Sequence, residues 1–143
     1  VILTDGDKIL LTPTYHVFHM FRDHQGAELL DSYADGCEKI GPEGSRADSI
    51  YESASAGEDG VITVTLVNPS ADTSLETEII FQDLVPVQVT GTVLQGEMHA
   101  CNTFENRENV REESFEEIEK NGRRLKMTVP AGSVLMLKVK GQD

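Results

Sequence analysis

Alternation of apolar and polar residues with a period of two dominates the chain after residue 50. Ile62, Val64 and Leu66 fall on one side of a short run, with Thr63 and Thr65 on the other. Gly57-Glu58-Asp59-Gly60 precedes this run and Asn68-Pro69-Ser70 ends it. With the imperfectly alternating residues 50–56 before the turn, this pattern predicts a hairpin. Residues 75–81 and 85–94 read as further strands, with Pro86 suiting a strand start or a sheet edge, where no ladder donor is needed. Leu125, Met127 and Val129 alternate with Arg124, Lys126 and Thr128. After the Pro130-Ala131-Gly132-Ser133 turn, Leu135, Leu137 and Val139 form a last strand. Residues 27–34 fit a strand ended by Asp35-Gly36, and residues 41–49 a loop. Residues 95–123 are polar and rich in glutamate, which predicts a solvated loop with a short strand around 115–118. Short strands separated by turns about every ten residues define an all-β chain, an antiparallel β-sandwich.

One segment breaks the pattern. Thr12 has the hydroxyl of an N-cap, and Pro13 suits the first helical position, where its missing N–H costs nothing. A helix is predicted over 13–24, stopped by Gly26. At 100° per residue, Tyr15, Val17, Phe18 and Phe21 make a broad apolar face, with His16, His19 and Asp23 opposite. The aromatic face calls for a large partner. The chain begins with Val1 inside an apolar stretch, so the expectation is a piece of a longer protein.

The 143 residues suit one hydrophobic core. No run approaches the roughly 18 apolar residues of a membrane helix. The net charge of −13 disfavours nucleic acid and anionic membranes as partners, because repulsion from phosphate acts at long range. Cys37 and Cys101 are far apart without C-x-x-C spacing, which favours isolated thiols over a disulfide framework or a metal site. Asn68 is followed by proline and forms no glycosylation sequon. Together these features favour a cytoplasmic protein.

Chemistry finds little support. His16, His19 and Asp23 share a helix face that could offer zinc ligands, but the spacing is not H-E-x-x-H and no fourth group is at hand. A solvent or interface face is the simpler reading. Carboxylate pairs are abundant, as at Asp5/Asp7, Glu112/Glu113 and Glu116/Glu117. A retaining glycosidase holds two carboxyl groups about 5 Å apart across a sugar, whereas adjacent residues in a strand point to opposite faces. Nucleophile-elbow, phosphate-loop and dinucleotide motifs are missing, and Ser133 has no motif-borne histidine partner. No catalytic, cofactor-binding or metal-ligating residue is therefore assigned, and no cofactor is called for. A carbohydrate-binding module is the alternative use of such a sandwich. Its stacking aromatics would have to come from Tyr33 and Tyr51, because the chain has no tryptophan and Tyr15 belongs to the helix.

Four stretches carry a resemblance. Residues 11–21 with His24-Gln25-Gly26-Ala27, the strand 61–68 ending in Asn68, the loop Cys101-Asn102-Thr103-Phe104-Glu105-Asn106, and the closing 129–135 are similar, in order, to the C-terminal region of family 51 α-L-arabinofuranosidases. Cys101 departs from that family's usual histidine. The resemblance implies a jelly-roll-like sandwich beside a (β/α)₈ barrel, with residues 1–26 following the barrel and 27–143 forming the sandwich domain. The parent would remove non-reducing terminal arabinofuranosyl groups from arabinoxylan or arabinan oligosaccharides with retention, as a homo-oligomer. Its acid/base and nucleophile glutamates would lie on the barrel, outside this chain, so the chain alone is expected to be inactive.

Overall fold

The computed structural model describes residues 1–142. Strands β1 (Ile2–Asp5) and β2 (Lys8–Leu11) form a separate hairpin. Helix α1 (Pro13–Phe21) follows and tightens into a 3₁₀ turn over Arg22–His24. Gly26 then takes a positive φ of 76°, open to glycine without strain. The Thr12 hydroxyl accepts from Tyr15 N–H at 3.3 Å and donates to the Val1 carbonyl at 2.8 Å. One residue thus caps the helix and closes the hairpin.

Strands β3 (Glu28–Leu29), β4 (Lys39–Ile40) and β5 (Ala47–Asp48) are two residues each. The longer ones are β6 (Tyr51–Ala56), β7 (Ile62–Asn68), β8 (Leu75–Ile80), β9 (Val85–Gln95), β12 (Arg124–Val129) and β13 (Ser133–Gln142). Between β9 and β12 lie β10 (Glu112–Phe115) and β11 (Glu119–Asn121). All pairings are antiparallel. One sheet has the order β10-β9-β13-β7-β6-β3, a second β11-β12-β8, and β4 pairs with β5. Pro86 lies in the part of β9 that pairs with β13 alone, opposite Gly141 and beside the register irregularity at Lys140/Gly141.

The sandwich core lies between the two larger sheets. Leu135, Leu137 and Val139 of β13, with Val64, Leu66 and Val93, meet Leu125, Met127 and Val129 of β12. Full burial of each large aliphatic side chain contributes about 1.5–3 kcal/mol. The opposite face of the six-stranded sheet carries α1, where Met20 packs with Leu94, Val110 and Met136. The layers are therefore helix, six-stranded sheet and three-stranded sheet.

Several sequence expectations change. The strand expected over 27–34 shrinks to Glu28–Leu29 at the sheet edge, where Leu29 is exposed. The 41–49 loop ends in β5, which returns to pair with Lys39–Ile40. The short strand expected at 115–118 lies earlier, because residues 116–118 carry the chain from one sheet to the other. Its position follows from a close fit, since a Cβ at Gly91 would come within 2.5 Å of the Phe115 carbonyl.

The helix lays its polar arc on the sheet, an interface rather than solvent, and of its expected apolar face Val17 packs beside Met20 while Phe18 stays outward. Phe18 is 66% exposed, while Met20 is fully buried and His16 and Asp23 face the sheet. The polar arc packs because the sheet supplies a partner for each of its groups.

Candidate functional site

The densest polar cluster joins α1 to the sheet. His16 Nδ1 and His19 Nδ1 lie 3.0 and 2.8 Å from the same Glu112 Oε1. An ionised carboxylate only accepts, so both rings donate from Nδ1. Arg22 Nη1 donates to His19 Nε2 at 2.8 Å, so that ring accepts at Nε2 and donates from Nδ1. Asp23, grouped with these histidines by spacing, goes elsewhere. Its Oδ2 pairs with Lys138 Nζ at 2.7 Å, and the lysine holds its carboxyl below the usual aspartate range. His24 lies 2.7 Å from Ser55 Oγ and 2.6 Å from Thr65 Oγ1. Burial pushes its pKa down, opposed by the Asp23 charge. The arrangement fixes a helix onto a sheet. Among the described residues, no group of three His, Cys, Asp or Glu side chains is arranged to hold a metal ion.

Other candidates are dispersed. Cys37 and Cys101 are free thiols; burial, followed by the charges of Asp48, Glu52 and Asp35, raises the pKa of Cys37. Glu112 and Glu113 point to opposite faces of β10, Glu113 pairing with Arg111 at 3.5 Å. Asp5 and Asp7 are exposed around the first turn, and Glu116 and Glu117 lie exposed between β10 and β11. An open groove of about 460 Å³ is lined by Gln95, Glu97, Asn109, Arg111 and Glu113, without an aromatic ring. Arg111 in that groove is already paired with Glu108 at 3.0 Å.

Sequence reasoning missed Asn102 as a structural anchor. Its Nδ2 donates to the Leu11 and Val110 carbonyls at 2.9 and 2.8 Å, and its Oδ1 accepts from Val110 N–H at 2.7 Å. This ties the end of the first hairpin to the loop before β10. The missed signal was the short polar motif around it, whose partners are distant in sequence.

These features define a two-sheet antiparallel domain with a helix fastened to its outer face. The chain matches the family model described as α-L-arabinofuranosidase C-terminal domain over residues 1–133, and it belongs to that family. It is 33% identical over 141 residues to an intracellular exo-α-L-arabinofuranosidase of Bacteroides ovatus, covering 97% of this chain and 27% of that protein. It is similar to the crystal structure of the GH51 arabinofuranosidase from Xanthomonas axonopodis pv. citri, with TM-score 0.88 and 29% identity, covering 97% of this chain and 28% of that one. The thermostable GH51 α-L-arabinofuranosidase of Thermotoga petrophila shares the fold at TM-score 0.83 and 23% identity, over 97% and 31% of the two chains. The chain thus spans less than a third of the length of these proteins. No helix among the described residues is long and apolar enough to cross a membrane.

Proposed function

We propose that this chain is the non-catalytic C-terminal accessory sandwich of a retaining, exo-acting α-L-arabinofuranosidase. The family match over residues 1–133 carries this reading. The parent removes non-reducing terminal α-L-arabinofuranosyl groups from arabinoxylan and arabinan oligosaccharides. Its two catalytic glutamates lie on a (β/α)₈ barrel upstream, at the C-terminal ends of barrel strands, where that fold places chemistry. Residues 1–26 connect barrel to sandwich and residues 27–143 form the sandwich, of jelly-roll type. The chain itself contributes no catalytic, cofactor-binding or metal residue; its role is to stabilise the barrel and help assemble a homo-oligomer in the cytoplasm. The intracellular description of the Bacteroides ovatus relative supports that location.

The pure chain should release no 4-nitrophenol from 4-nitrophenyl α-L-arabinofuranoside. Release by the chain, with host enzyme excluded by a mock purification, would overturn the non-catalytic role.

One observation favours a second reading, an independent carbohydrate-binding module: Tyr33 is 83% exposed, which leaves it available to stack on a sugar. Tyr51 is a poorer platform, its hydroxyl accepting from Asp48 N–H at 3.2 Å. Titration with arabinoxylan oligosaccharides decides between the readings. Saturable heat abolished by Tyr33→Ala favours the module, and no heat at millimolar ligand ends it.

A further inference from the structure

We propose that Lys120 guards an open sheet edge, keeping β9 from adding a strand of a second copy of this chain. Strand β10 pairs only with Gly91, Thr92, Val93 and Leu94 of β9, and residues 116–118 then leave for the other sheet. On that side residues 85–90 meet no strand among the described residues. Their sequence, Val-Pro-Val-Gln-Val-Thr, carries no charge, and Val87 is 54% exposed. An uncharged, β-prone run with unpaired backbone groups is a template for another chain.

Lys120 stands where the alternation calls for an apolar side chain. It lies opposite Leu125 in the β11–β12 ladder, and Leu125 is fully buried. Opposite residues of a ladder share a face, so the lysine points inward from the edge strand of its sheet. Its stem reaches across to the six-stranded sheet, where Nζ donates to the Val87 carbonyl at 2.9 Å. By alternation the N–H and C=O of Val89 face the same open side. Lys120 also lines, with Val89, Thr90, Glu116 and Ile118, a gap of about 250 Å³ beside this edge. A strand entering there would have to displace the ammonium from Val87 and strip water from it, which is why an inward charge protects an edge.

Two further features blunt the same stretch. Pro86 removes a backbone donor from it. The register with β13 slips between Lys140 and Gly141, so that Val87 is the extra residue between the pairs Gln88↔Lys140 and Pro86↔Gly141. A bulge bends and twists its strand, which spoils a flat edge. A second copy is the occupant that fits, because two identical edges meet about a two-fold axis as antiparallel strands, β9 against β9.

The test compares Lys120→Met, Lys120→Arg and Lys126→Met with the unmodified 143-residue chain. Lys126 faces outward on β12, so its loss changes the charge equally and leaves the edge alone. In sedimentation equilibrium, Lys120→Met should self-associate about tenfold more tightly than the unmodified chain, the scale of one ladder hydrogen bond, although its net charge is more negative. Lys120→Arg, which keeps an inward donor, and Lys126→Met should match the unmodified chain. Amide exchange locates the contact: in Lys120→Met the Val89 amide should exchange about tenfold more slowly at high than at low protein concentration. The thermal midpoint of Lys120→Met at low concentration should not fall, since the variant removes an inward charge. Equal association in all four proteins, association of either comparison variant as strong as that of Lys120→Met, or association without slower exchange at Val89 would overturn the proposal. A lowered midpoint without association would overturn it too, because Lys120 would then be a tie between the sheets and not a guard.

Discussion

Asn68 and Asn102 show how much a single buried amide can organise. Asn68, 1% exposed, donates from Nδ2 to the Thr73 and Val129 carbonyls and accepts from Ser70 N–H at 3.0 Å. It ends β7 and anchors the crossing to the second sheet. Asn102, 8% exposed, makes three hydrogen bonds of the same kind between the first hairpin and the loop before β10. Both residues lie in stretches that carry the family resemblance, so their importance was legible in the sequence while their role was not. Their partners are up to 61 and 91 positions away, and no local pattern encodes a carbonyl at that distance. Truncation should be costly because it leaves buried groups of Val110 unpaired. Asn102→Ala is expected to destabilise the chain by about 3 kcal/mol, lowering the thermal midpoint by roughly 10 °C. A urea midpoint within error of the parent chain would show that the loop re-pairs these groups with water.

The elements divide by how much of their partner is local. Strands β7, β12 and β13 were readable because alternation alone sorts their core residues from their outward ones. β10 was readable only in part, since Glu112-Glu113-Ser114-Phe115 lacks an apolar stripe and its pairing depends on the space at Gly91. The helix stands where the sequence puts it, capped by Thr12 and followed by Gly26, with Val17 of its apolar face packed near Met20 and Phe18 outward. Ranking side chains by hydrophobicity assigns His16, His19 and Asp23 to a solvent or interface face without saying which. The sheet presents Glu112 and Lys138 to them, and Ser55 and Thr65 to His24, so burying this arc leaves its hydrogen bonds satisfied. The same logic explains why Thr63 and Thr65, the polar side of β7, are buried on the helix side of the sheet. A pair of variants separates the two orientations. Met20→Ala should cost about 2–5 kcal/mol through loss of buried volume. Phe18→Ala should stay within about 0.5 kcal/mol, as an exposed substitution does. Chemical denaturation of both variants reads the difference, and the reverse ranking would restore the aromatic face as the packed one.

At the scale of the whole molecule, acid acts in opposing directions. The net charge of −13 at pH 7 loads the compact state with self-repulsion, which eases as pH falls towards the isoelectric point near 4.6. His24 works against this relief. Its folded pKa lies below the ordinary 6.5, chiefly because the ring is buried against the sheet. Between that lowered value and 6.5 the unfolded chain binds a proton that the folded chain does not, so stability falls as pH decreases through this window. The contribution is fully present above 6.5, and the loss is complete below the folded pKa. Asp23 stays out of this range, since its carboxyl is held below 3.8 and its stabilisation disappears only in stronger acid. Because the general charge effect is common to all variants, a difference measurement isolates the histidine. His24→Gln keeps a hydrogen-bonding group beside Ser55 and Thr65 but cannot titrate. Between pH 7.5 and 5.5 the urea midpoint of the unmodified chain should drop relative to that of His24→Gln. Parallel pH profiles for the two proteins would mean that the ring is wet enough to titrate as it does unfolded. The contact of the 3₁₀ turn with β6 and β7 would then be looser than its 2.6 and 2.7 Å hydrogen bonds indicate.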